Sequence, residues 1–68
     1  MADYPLPLEN QTAAVTGASS GIGRATAIMF ATQGADLIIH AHTNRQGLEE
    51  TADAIRALNR QVTCVYAD

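Results

Sequence analysis

The chain has 68 residues, a formal net charge of −3 and an apolar share of 47%, which fits a folded globular domain and excludes a disordered segment. A domain of this size buries only about 60% of the surface its unfolded chain exposes, so it has room for one small core. The four cations, Arg24, Arg45, Arg56 and Arg60, are scattered and lysine is absent, which leaves no basic stripe for a nucleic acid.

Residues 1–10 read as an irregular lead-in. Asp3, Pro5, Pro7 and Glu9, with no cation and no long apolar block behind them, do not make a secretory signal, so the expected compartment is the cytoplasm. Leu8 is the first residue expected to dock on a core. Gln11–Thr16 is a short, nearly unalternated apolar stretch ended by Gly17, the pattern of a parallel strand buried on both faces. A helix follows. Ile22, Ala25, Met29 and Ala31–Thr32 set its expected buried face, with Arg24 and Gln33 on the wet side. Gly34 supplies a left-handed cap at its end.

Ala35–Ala41 contains Leu37-Ile38-Ile39, a branched run that predicts a second buried strand. No apolar run here approaches the roughly 18 residues of a membrane span, and no membrane partner is expected. Thr43 and Gln46 have capping-box spacing, which predicts a second helix starting near Asn44. Its stripe is Leu48, Ala52 and Ile55, extended by Leu58 or Asn59. Glu49, Glu50 and Asp53 lie in its first half and Arg56 and Arg60 towards its end, as the helix dipole favours. Val62–Ala67 is the third strand, with Cys64 and Tyr66 alternating against Thr63 and Val65. Cys64 is the only cysteine, so no intrachain disulfide or cysteine metal cluster forms, and it reads as a small core residue. His40 and His42 have no third ligand in view, and no metal site is assigned.

Strand, helix, strand, helix, strand predicts an α/β fold, the first βαβαβ half of a Rossmann-type parallel sheet. Residues 11–68 would form this half of a dinucleotide-binding domain. Gly17, Gly21 and Gly23 stand between the first strand and the first helix. Gly17 allows the sharp turn, Gly21 lets the backbone approach a phosphate, and Gly23 allows close helix–strand packing. The helix then starts beneath the phosphates with free N–H groups and the positive end of its dipole. Ser19 and Ser20 add hydroxyl donors.

The run Thr16-Gly17-Ala18-Ser19-Ser20-Gly21-Ile22-Gly23-Arg24-Ala25 resembles the cofactor motif of the short-chain dehydrogenase/reductase family, in its T-G-x-x-x-G-x-G branch. The likeness extends from about Leu8 to Asp68. It implies an NAD(P)-dependent oxidoreductase that moves a hydride between the nicotinamide and a carbonyl or alcohol carbon. It also implies that Asp68, after the third strand, contacts the adenine amino group. A carboxylate at the end of the second strand would hold the ribose 2′-OH of NAD and repel a 2′-phosphate. That position is Ala41, followed by His42, Thr43 and Arg45, which favours NADP over NAD. Ser20 stands where many NADP-preferring relatives have a basic residue.

The expected cofactor-binding set is therefore Gly17, Ser19, Ser20, Gly21, Ile22, Gly23, His42, Thr43, Arg45 and Asp68. No catalytic residue is assigned. The family's tyrosine–lysine pair is impossible without a lysine, Tyr4 lies in the lead-in, and Tyr66 falls in what reads as a buried strand. The resemblance thus implies that the chain is the N-terminal piece of a domain of about 250 residues, expected to be inactive alone and at best marginally folded. The first strand would be left at an open edge where a fourth should pair. The longer protein is expected to act on a small carbonyl or alcohol substrate and to form a homo-oligomer, a tetramer or dimer. The alternatives are a non-catalytic Rossmann-like nucleotide-binding module and a fragment that completes another chain's sheet.

Overall fold

A computed structural model describes residues 6–66. The elements are β1 (Thr12–Thr16), α1 (Gly21–Thr32), β2 (Asp36–Ala41), α2 (Arg45–Ala57) and β3 (Val62–Tyr66). The strands form one parallel sheet in the order β1-β2-β3, with Val15 opposite Ile39 and Ile39 opposite Cys64. Sequence order equals spatial order, so β1 lies at one edge of the sheet.

Both helices pack on one sheet face and against each other. Under them lie Val15 of β1 and Leu37, Ile39 and Ala41 of β2, closed by Leu48, Ala52 and Ile55 of α2. Side chains alternate across a strand, so the other face carries Ala14, Thr16, Ile38 and Val65, all exposed. Among the described residues, β1 and β2 are thus buried on one face only. Ile38, in the middle of the most apolar run, is 41% exposed because both crossovers return over the same face.

The buried face of α1 also differs from the expected one. Ile22 and Met29 are 86% and 51% exposed, and Ala25 is exposed, whereas Ala27 and Ala31 are buried. A stripe of Gly23, Ala27 and Ala31, at steps of four, lets α1 approach the sheet and α2 closely; bulky Ile22 and Met29 would hold it away. Arg24 shares this inward side. Gly34 takes the left-handed conformation at φ +101°, as expected, and Leu8 packs against the core through a bond from its N–H to the Gln33 carbonyl at 2.8 Å.

α2 is capped by Asn44, whose Oδ1 accepts from the Gly47 N–H at 2.9 Å; the expected Thr43–Gln46 box does not form. Leu48, Ala52 and Ile55 are buried as expected, but Leu58 is exposed, and Asn59 at φ +63° terminates the helix. Arg60 leaves the helix end to donate to the Gly34 carbonyl at 2.8 Å, joining the ends of α1 and α2.

Replacing Asn44 with Ala removes the only side-chain cap on either helix start among the described residues. Asn44→Ala should lower stability by about 1 kcal/mol and Asn44→Ser by much less, read by denaturant unfolding.

Candidate functional site

The glycine turn and the end of β2 meet on one edge of the sheet, where the strands' carboxyl ends lie. The Ala18 N–H donates to the His40 carbonyl at 3.1 Å, which fixes the turn against β2. Gly17 and Gly21 have φ of +64° and +59°, and a Cβ on Gly21 would meet nothing within 4 Å, so the backbone there is open to a close-approaching group. Gly23 has the opposite character. A Cβ there would collide with the Gly17 carbonyl, so this glycine packs the first turn of α1 onto the loop itself.

Two side chains gather the turn's carbonyls. The Thr51 hydroxyl donates to the Ala18 carbonyl at 2.8 Å and accepts from Arg24 Nε at 2.9 Å. Arg24 Nη2 donates to the Ser19 carbonyl at 2.6 Å and to the Gly47 carbonyl at 3.0 Å, with Glu50 Oε1 at 3.3 Å. The Ser20 carbonyl accepts from the Arg24 N–H at 3.3 Å. Three successive carbonyls, of Ala18, Ser19 and Ser20, are therefore consumed by the protein. In a trans peptide the N–H points opposite to the C=O. The amides of Ser19, Ser20 and Gly21 are thus turned away from those acceptors.

Electrostatics follow from this orientation. Ser20 is the N-cap of α1 but its side chain makes no capping bond, and the first turn carries no acid. The N–H groups of residues 21–23 precede the first intrahelical bond, and the helix dipole adds positive potential there. The arrangement suits an anion.

At the second strand's end, Ala41 is buried, while His42, Thr43 and Arg45 are exposed. The rings of His40 and His42 meet edge-on, 5.0 Å between centroids. Thr43 accepts the Arg45 N–H at 2.9 Å through its carbonyl. The Arg45 guanidinium lies 3.9 Å over the Tyr66 ring, and the Tyr66 hydroxyl donates to Glu49. Tyr66 is half-buried at the sheet's edge, not enclosed in a buried strand. The Glu49 bond and partial burial push its phenol up to about 12. Among the described residues no three metal-ligating side chains group together. Asp68 lies outside the described residues.

The sequence reading missed Arg24, Thr51 and Gly47. Their signal was present: Gly47 and Thr51 stand one helical turn apart beside the Leu48 stripe, and Arg24 continues the Ala27–Ala31 face. A charged residue on an apolar face reads as solvent-facing until its acceptors are known.

The family model for short chain dehydrogenases matches residues 11–68. The chain belongs to the short-chain dehydrogenase family. It is 49% identical over 61 residues to an uncharacterized oxidoreductase of Bacillus subtilis, covering 90% of this chain and 22% of that protein. Among solved structures it is similar to the promiscuous reductase LugOII, at TM-score 0.88 and 36% identity, over 93% of this chain and 26% of that one. Carveol dehydrogenase from Mycobacterium avium, solved in complex with NAD, matches at TM-score 0.79 and 29% identity, over 85% of this chain and 25% of that one. The chain thus spans about a quarter of the length of these family members, and α1, α2 and the glycine turn lie within the matched part.

Two outcomes are expected from this geometry. Arg24→Met strips donors from two carbonyls and the Thr51 hydroxyl, and should cost about 2 kcal/mol after discounting for partial exposure, with faster amide exchange at residues 18–20 and 47. For Tyr66, the folded pKa lies above the unfolded value of 10.0. Its contribution to stability is therefore fully present below pH 10 and is lost as pH rises through about 12. Tyrosinate absorbance should show this late step, and Glu49→Ala should move it back towards 10.

Proposed function

We propose that this chain forms the part of an NAD(P)-dependent oxidoreductase that holds the cofactor's pyrophosphate and adenosine. One observation carries the reading: the Ala18, Ser19 and Ser20 carbonyls are bound inward, which turns the following amides outward at a helix start free of acid. A dinucleotide's pyrophosphate is the group that such a turn accepts in an α/β fold, outside the carboxyl ends of the strands. The NAD complex of carveol dehydrogenase supports a nicotinamide cofactor.

In this reading Gly17, Ser19, Ser20, Gly21, Ile22 and Gly23 bind the pyrophosphate. His42, Thr43 and Arg45 flank the adenosine ribose, and Asp68 takes the adenine. Ala41 offers no carboxylate to a 2′-OH, while Arg45 brings a cation to the same strand end, which favours NADP over NAD. The nicotinamide, when bound, supplies the hydride for a carbonyl or alcohol substrate. This chain's own residues bind and orient the other half of the cofactor. With no lysine to support a proton-donating tyrosine, residues 1–68 carry no turnover themselves. They serve as the cofactor half of a longer, cytoplasmic, homo-oligomeric enzyme.

Ile22→Asp separates folding from binding. The side chain is exposed at the second position of α1, where a carboxylate complements the dipole and repels a phosphate. Thermal stability should hold or rise, while affinity for NADPH and NADH falls together by about tenfold or more, read by cofactor fluorescence. Unchanged affinity for both would remove the proposal.

A further inference from the structure

The first residue of α2 is a cation at the end of the helix where the dipole opposes positive charge. Glu49, one helical turn on from Arg45, is the carboxylate expected to pair with it. That ion pair does not form among the described residues. Instead the Tyr66 ring carries the guanidinium on its face at 3.9 Å, and Glu49 is engaged by the Tyr66 hydroxyl. Tyr66 comes from a different strand, beside Ala41 in register, so the three side chains assemble at the end of β2 only in the folded sheet.

A guanidinium held over a ring face meets a surface with no hydrogen-bond acceptor of its own, which leaves its N–H donors available to an anion. Stacking also removes much of the rotamer freedom that an exposed arginine would lose on binding an anion. We propose that Tyr66, oriented by Glu49, is a positioning residue that holds Arg45 for the 2′-phosphate of NADP(H), and so sets selectivity against NAD(H). The inference rests on the cofactor reading above and adds to it the residues that make Arg45 selective. Ala41 removes the carboxylate that would reject the phosphate, and Tyr66 holds the cation that receives it.

A double-mutant cycle tests this in the intact protein, with equilibrium titrations of NADPH and NADH on wild type, Arg45→Ala, Tyr66→Leu, Tyr66→Phe and the Arg45→Ala pairs with each. The thermal unfolding midpoint of each variant serves as the control for an intact fold. Arg45→Ala should lower NADPH affinity by about tenfold or more and NADH affinity by much less, so that the ratio falls. Tyr66→Leu, which keeps apolar bulk and loses the ring face, should lower the NADPH-to-NADH affinity ratio by about threefold. Tyr66→Phe, which keeps the ring and frees it from Glu49, should lower the ratio less. Neither should change the ratio further once Arg45 is Ala. If Tyr66→Leu does not fold, the Tyr66→Phe cycle carries the test alone. Equal losses for both cofactors, no change in ratio, or a Tyr66 effect that persists without Arg45 would overturn the proposal. If Arg45→Ala itself leaves the ratio unchanged, it is the NADP reading beneath it that fails.

Discussion

The site depends on where the oxygen atoms of one short turn go. Between β1 and α1 the chain reverses over a few residues, and each peptide in that reversal has to place a carbonyl somewhere. Arg24 and Thr51 accept this task from opposite helices: one donates to Ser19, the other to Ala18, and they bond to each other. An unpartnered buried carbonyl is expensive, so the network fixes the orientation of every peptide it touches. The amides facing the other way are then preorganised donors, with no reorganisation needed when an anion arrives.

The same network explains the packing around it. Gly47 of α2 lies against the turn because its carbonyl is part of the network and a side chain there would collide with Asn44 and the Ser19 carbonyl. Gly23 is required for the corresponding reason on α1. Small residues at 23, 27 and 31 bring α1 close enough for Arg24 to cross to α2, and Asn44 starts α2 at the register that delivers Gly47 and Thr51. Helix start, helix approach and loop orientation are one constraint seen from three places.

Much of this was legible in the sequence. Five elements in order, the glycine spacing, the Gly34 cap and the Leu48–Ala52–Ile55 stripe follow from periodicity and backbone chemistry that act locally. What was not legible depended on a partner distant along the chain. The inward face of α1 is set by close approach to α2, so its small residues are buried and its large ones exposed, reversing the usual reading of Ile22 and Met29. Among the described residues only one sheet face is covered, because both crossovers lie on the same side. Arg24 read as a wet-side residue because its acceptors are carbonyls, and any residue type can supply those. Tyr66 and Arg45 are far apart in the chain, and their stacking appears only when β3 is laid beside β2.

The central claim is that the outward amides of the glycine turn receive the cofactor's pyrophosphate. Backbone amide NMR of the intact protein, titrated with NADPH, tests it residue by residue. The largest shifts should fall on the amides of residues 19–23, with a smaller group at residues 42–45. Saturable binding that leaves the amides of residues 19–23 unmoved would contradict it.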